Sequence, residues 1–283
     1  MLKNTFIHIP GIGLRTEEHL WDSGLLDWDG FGEPFEINLS HNKLELIEQY
    51  LQESREHFET GNLKYFERLL PSNQHWRMFP EFRDSTVYLD IETTGLKMWG
   101  FEITTISLYD GNSIFWYVKD QNLDDFIHDI QKYRVIVTYN GKSFDIPFIE
   151  SHFGAKLTQA HIDLRYILAS LGYRGGLKGC EKQLGIDRGD LKNVDGYFAV
   201  LLWYDFLHNN NQKALETLLA YNIEDTVNLE TLMVLAYNMK LKGTPFFQTH
   251  QLTEPTHPDI PFEADLQTIE RIKMQIFREP SLY

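Results

Sequence analysis

Ser85-Thr86-Val87-Tyr88-Leu89-Asp90-Ile91 is the first of three β-rich runs in close succession. Glu102-Ile103-Thr104-Thr105-Ile106-Ser107-Leu108-Tyr109 is the second, and the turn Asp110-Gly111 leads into the third, Ser113-Ile114-Phe115-Trp116-Tyr117-Val118. β-Branched and aromatic residues fill all three, and Asp-Gly between such runs is a hairpin signal. A helical pattern follows from Leu123 to Gln131, then a fourth β-rich run from Arg134 to Tyr139. From Phe144 onward the spacing is helical, broken by the glycine-bearing stretch 172–179. A meander followed by helix, strand and helix predicts an α/β fold, a mixed sheet flanked by helices.

Outside this segment the chain changes character. Residues 1–34 are Gly-rich and contain tryptophan, and Asn38 to Leu70 reads as two helices. Their apolar stripe runs through Leu44, Ile47, Leu51 and Phe58, with Ser40 as a candidate N-cap and Gly61-Asn62 as the break. Pro71 and Pro80 bracket a loop into the main segment, and a Pro-studded linker from Pro245 to Pro261 precedes a short amphipathic helix, Glu263 to Phe277. The expected division is a helical N-terminal region over 1–83, a main domain over 84–240, and a C-terminal linker and helix over 241–283. That last part has three candidate roles: capping the core, pairing two subunits, or docking a partner.

The 283 residues suffice for one full core and a smaller appendage, and 42% hydrophobic with 24% charged residues excludes wholesale disorder. Cys180 is the single cysteine, which excludes an internal disulfide and any multi-cysteine zinc site. No apolar stretch approaches the roughly 20 residues of a membrane helix, and the N-terminus has no signal-peptide pattern. A cytoplasmic protein without a membrane partner is the expectation. Net charge is −15, from 41 acids against 26 Lys and Arg. That balance opposes tight, sequence-specific DNA binding, and predicts modest, salt-sensitive affinity for nucleic acid. A nuclease survives the objection, since bound divalent cations supply positive charge at the scissile phosphate.

Three short motifs carry the chemistry. Asp90 and Glu92 stand two apart on the first run, so both carboxylates project from one face of a strand. Taken alone, such a pair is more often a solvated sheet face. Asp145 lies just past the fourth run in Tyr139-Asn140-Gly141-Lys142-Ser143-Phe144-Asp145, at a helix start where it would also favour the helix dipole. Tyr221 and Asp225, in Tyr221-Asn222-Ile223-Glu224-Asp225, share a helix face one turn apart. Jointly, and each at a junction of elements, the three motifs point to one acidic site.

In this pattern the chain resembles the DEDD superfamily of 3′–5′ exonucleases, which share a ribonuclease-H-like fold. Asp90 and Glu92 look like their Asp-x-Glu, and the second motif resembles the Tyr-Asn-Gly-x-x-Phe-Asp of proofreading domains in B-family DNA polymerases. Tyr221, four residues before Asp225, is similar to the tyrosine subclass (DEDDy); the histidine subclass would have His where Ala220 stands. Pro10-Gly11-Ile12-Gly13, Trp76 through Phe82, and Leu177-Lys178 through Arg188 resemble the YprB-like family. The resemblance covers most of residues 1–240.

It implies that Asp90, Glu92, Asp145 and Asp225 hold two divalent cations, Mg²⁺ or Mn²⁺. Asp90 would bridge them, Glu92 and Asp225 would complete one site, and Asp145 would serve the other through bound water. Tyr221 would orient the attacking water, since an ordinary phenol with a pKa near 10 is a poor base. Thr93, Thr94 and Leu96 would meet the terminal nucleotide by the same resemblance, and Asn140, Lys142 and Phe144 are further substrate candidates. Trp99 and Phe101 would stack on bases or fill the core. Residues 165–192 carry six Lys or Arg against three acids, +3 (6 − 3), so Arg165 and Lys178 are candidates for a phosphate track or ordinary solvated charges. His161 and Asp163 fit core or capping roles better than the site. Ile9 to Gly13, followed by Thr16 to Trp21, resembles the hairpin and second helix of a helix-hairpin-helix module, although only nine residues precede Pro10.

The expected activity is a metal-dependent 3′–5′ exonuclease on single-stranded or frayed nucleic-acid ends, DNA before RNA. An RNA 3′-end exonuclease is one alternative. A catalytically idle nucleic-acid-binding module is another, disfavoured because a retired site has no reason to keep mutually repelling carboxylates.

Overall fold

The computed structural model describes residues 1–32, 39–95, 100 and 102–278. Three helices precede the sheet: α1 (Leu14–Asp22), α2 (His41–Thr60) and α3 (Leu63–Leu69). Gly61 ends α2 in the left-handed conformation (φ 69°), which glycine adopts without the Cβ penalty. Ser40 is the N-cap residue of α2, but its side chain makes no capping hydrogen bond. Ahead of the Pro10–Gly13 turn stands only a three-residue 3₁₀ turn, Leu2–Asn4.

The sheet has five strands: β1 (Thr86–Thr93), β2 (Ile103–Tyr109), β3 (Ile114–Val118), β4 (Val135–Thr138) and β5 (Ala160–Asp163). Their order is β3-β2-β1-β4-β5. The β1–β2 and β2–β3 pairs are antiparallel, whereas β1–β4 and β4–β5 are parallel. This is the mixed sheet that the meander pattern predicts. The strand β5 is an addition to that reading, hidden because four residues, two of them polar, carry too little period-2 signal inside a helical region. The helix expected from Leu123 to Gln131 is instead α4 (Phe126–Asp129) between two 3₁₀ turns. Leu123 and Phe126 are buried three residues apart, a repeat that a 3₁₀ turn serves as well as an α-turn.

Beyond β4 come α5 (Asp145–Phe153), α6 (Leu164–Ser170), α7 (Gly176–Leu184), α8 (Gly196–Asn209), α9 (Gln212–Leu241) and α10 (Leu266–Arg278). The 30-residue helix α9 is buried along nearly its whole length and packs on β1, β2 and β4. A helix apolar on most sides is a central one. The sheet alternation sorts the core. Val87, Leu89 and Ile91 point to one face, against Phe126, Ile130, Phe148 and Ile149. Tyr88, Val135 and Val137 point to the other, joining α9 and the N-terminal residues in one cluster that runs from Met1 to Phe246.

A buried ion pair fastens the N-terminal region. Arg77 Nη2 meets Glu17 Oε2 at 2.8 Å, with both side chains at most 2% exposed. Glu17 also accepts the backbone N–H groups of Phe6 and Ile7. At the other end α10 buries Ile269 and Ile272 against α8 and α9, and Arg271 forks onto Asp205 at 2.9 and 2.5 Å. Of its three candidate roles, capping the core is the one these contacts display. Among the described residues, no helix is long and apolar enough to cross a membrane.

Candidate metal centre

On β1, Asp90 lies opposite Ser107 of β2 and Glu92 opposite Thr105, a register that turns these four side chains toward α9. A bulge follows between Glu92 and Thr93, where regular pairing ends. From α9, Asn222 and Asp225 are three residues apart and Tyr221 is one turn from Asp225, so the helix brings all three to the strand. Asp90, Glu92 and Asp225 each offer a carboxylate oxygen, all within 4.8 Å of one another.

The polar partners are unequal. Asn222 donates its Nδ2 to Asp90 Oδ2 at 2.7 Å and is itself fixed by Thr105, whose hydroxyl donates to Asn222 Oδ1 at 3.0 Å. Ser107 donates to the Asn222 carbonyl. Glu92, though 8% exposed, meets no hydrogen-bond donor among the described residues. Asp225 accepts from Arg188 Nη2, and Arg188 Nη1 holds Glu181 Oε2 at 2.6 Å.

Burial pushes the Asp90 carboxyl up to about 7, against the pull of the Asn222 hydrogen bond. Glu92 is driven well above the usual carboxylate range by burial and then by Asp90. Asp145 shifts the same way, from burial first and Asp90 second. Three carboxylates held this close in a buried setting repel one another unless protonated or paired with a cation. Their hard oxygen donors suit Mg²⁺, Mn²⁺ or Ca²⁺ rather than a soft metal. Glu92, which has no hydrogen-bond donor among the described residues, and a set of only oxygen ligands therefore fit a divalent cation.

Asp145 stands beside this trio rather than inside it. As the first residue of α5 it accepts the Ile91 N–H through Oδ1 at 3.2 Å, which ties α5 to the metal-facing strand. The loop before it is held from below. Asp163 caps α6 through the Arg165 N–H and also accepts the N–H groups of Asn140 and Lys142. Gly141 is required by space: a Cβ there would lie 2.2 Å from Thr138 Oγ1. His161 donates or accepts at that same hydroxyl, 2.8 Å away. Both residues thus serve core and cap.

Tyr221 is 3% exposed, and burial followed by the Glu92 and Asp90 charges raises its phenol far above the ordinary range. Lys178 Nζ lies 4.6 Å above its ring and bonds the Val194 carbonyl, and burial brings the ammonium down to about 8. The substrate candidates have partners of their own. Thr93 donates to the Gly95 carbonyl at 2.5 Å, and Thr94 Oγ1 accepts the Glu102 N–H. Lys142 reaches Ser72, and the Phe144 ring lies 4.9 Å from Phe148. Arg165 and Asn140 join each other at 2.5 Å on an exposed rim that borders a cavity of about 570 Å³, also lined by Tyr139, Tyr173 and Arg174. Leu96, Trp99 and Phe101 lie outside the described residues.

The sequence singles out neither Asn222 nor Glu181 as a site residue, and it offers Arg188 only as one of the six basic residues of the candidate phosphate track. The available signal was polarity in apolar surroundings: Thr105 and Ser107 sit in a strand buried at every position, and they need partners.

A model of the RNase_H superfamily matches residues 87–237. The five-stranded mixed sheet with flanking helices is accordingly RNase H-like. Among solved structures the chain is similar to the family B DNA polymerase from the hyperthermophilic archaeon Pyrobaculum calidifontis. That likeness has a TM-score of 0.41 at 16% identity, and covers 59% of this chain and 27% of the polymerase. No curated protein matches the chain.

Proposed function

The chain belongs to the RNase_H superfamily, and from that premise we propose that it is a divalent-metal-dependent 3′–5′ exonuclease of the tyrosine subclass, close to the YprB-like family. It would hydrolyse phosphodiester bonds at single-stranded or frayed ends, DNA before RNA. The observation that carries this reading is the gathering of Asp90, Glu92 and Asp225 within 4.8 Å, with Tyr221 on the same helix as Asp225.

In the proposed mechanism Asp90, Glu92 and Asp225 would hold a first Mg²⁺ or Mn²⁺, and Asp145, beside Asp90, would serve a second through water. Such ions lower the pKa of water and stabilise charge on the leaving oxygen. Asn222 fixes Asp90 by donating to one of its oxygens, leaving the other for the cation. Tyr221 keeps its proton, because burial and neighbouring carboxylates disfavour phenolate. It therefore acts as a hydrogen-bond donor that aims the attacking water, not as a base. Thr93, Thr94 and Leu96 are the proposed contacts to the terminal nucleotide, with Asn140, Lys142, Phe144, Arg165 and Lys178 along the strand. Chemistry is assigned to residues 84–240, with 1–83 and 241–283 as its supports.

The test is digestion of 5′- and 3′-labelled single-stranded DNA, duplex DNA and RNA with Mg²⁺, Mn²⁺ or EDTA. Stepwise shortening from the 3′ end of DNA, abolished by EDTA, is expected. Preferential shortening of RNA would move the substrate to RNA. Retention of intact strands with and without metal would sink the enzyme in favour of a binding module.

A further inference from the structure

Arg188 belongs to none of the three motifs, yet its guanidinium touches the candidate centre. It is 8% exposed and bridges two carboxylates, Glu181 through Nη1 at 2.6 Å and Asp225 through Nη2. Glu181, 1% exposed, is braced from behind by Asn228, which donates to Oε1 at 3.0 Å. The third nitrogen, Nε, is buried without an acceptor among the described residues. A residue retained only to satisfy a polar core would not be expected to leave a buried donor unpaired. Its placement follows instead from the charge it brings: among the described residues it is the cation that directly bonds a member of the acidic trio. Lys178 is near, but its ammonium bonds the Val194 carbonyl and faces the Tyr221 ring.

An oxygen of Asp225 engaged by a guanidinium is not free for a divalent ion. We propose that Arg188 is a resident counter-ion of the acidic cluster, which holds Asp225 and must release it for a divalent ion to load. The strength of that hold then sets the metal concentration at which the site fills. Glu181 is the anchor that keeps the guanidinium nearby on release. This inference rests on the reading of Asp90, Glu92 and Asp225 as a cation site.

The experiment titrates Mn²⁺ calorimetrically into the full-length wild type, Arg188→Gln and Lys178→Gln, and records thermal unfolding in EDTA and in saturating Mn²⁺. Loss of a charge-assisted hydrogen bond to Asp225 should tighten Mn²⁺ binding by about tenfold in Arg188→Gln. Lys178→Gln should change it much less. In EDTA, Arg188→Gln should melt below wild type, and Mn²⁺ should close the gap. If Arg188→Gln does not fold, Arg188→Lys, which loses the two-armed grip, should still bind Mn²⁺ more tightly than wild type. Unchanged or weaker binding in the Arg188 variants overturns the inference alone. So does equal tightening in Lys178→Gln, which would mark a diffuse charge effect, or a melting gap that persists in Mn²⁺. A wild type that takes up no Mn²⁺ overturns the cation site, and the inference with it.

Discussion

Tyr221 and Asn222 are neighbours in sequence with different tasks. The phenol is buried among charges that disfavour its ionisation. Tyr221→Phe should therefore reduce turnover by about 100-fold, the scale of a misplaced reacting group, while Mn²⁺ affinity stays near wild type. Equal losses in single-turnover rate and calorimetric affinity would refute an orienting role. Asp90→Ala, by contrast, should abolish cleavage. Asn222 is 0% exposed and connects Thr105 to Asp90. Asn222→Ala leaves buried polar groups unpaired and should cost about 1–3 kcal/mol in urea unfolding. A variant as stable as wild type would mean that solvent reaches these groups after all.

The loop between β4 and α5 depends on neighbours that the motif itself does not contain. Asp163, at the end of β5, accepts from Asn140 and Lys142, and His161 contacts the Thr138 hydroxyl that also receives the Gly141 N–H. Burial holds His161 neutral and pushes its pKa down from 6.5 to about 3. In the unfolded chain the ring takes up a proton near pH 6.5, so between about 6.5 and 3 the unfolded state binds more protons. This contribution is complete above pH 6.5 and is lost as pH falls toward 3. Buried His8, also brought down to about 3, adds a loss of the same sign. The melting temperature should drop on acidification from pH 7 to 4, and His161→Gln should make that slope shallower. An identical slope would show that other groups govern acid unfolding. The strand β5, which supplies both residues, was not legible in the sequence because its short edge segment has no periodicity to distinguish it from the helices around it.

Across the molecule, the N-terminal helices share a core with α9 and the sheet, Arg83 pairs with Glu230 of α9 at 2.7 Å, and Glu17–Arg77 is the buried ion pair that fastens the N-terminal region itself. Removing one partner of a fully buried pair strands the other charge, so Glu17→Ala should cost about 3–5 kcal/mol in a single cooperative transition. A separate low-temperature transition confined to the N-terminal region would show instead that it folds independently. The −15 net charge was readable from composition, as were the meander, the three acidic motifs and their order. Local periodicity encodes strands and helices, and residue spacing along one element decides which side chains share a face. Thus Asp90 with Glu92, and Tyr221 with Asp225, could be paired before any coordinates. Partners far apart in the chain have no such signature. That Asn222 holds Asp90 across 132 positions, that Arg188 occupies Asp225, and that Asp145 binds the strand beside the trio all follow from how α9, α5 and the segment after α7 come together in the folded chain. Packing is a matter of shape and of satisfying every buried polar group at once, and only the folded chain specifies it.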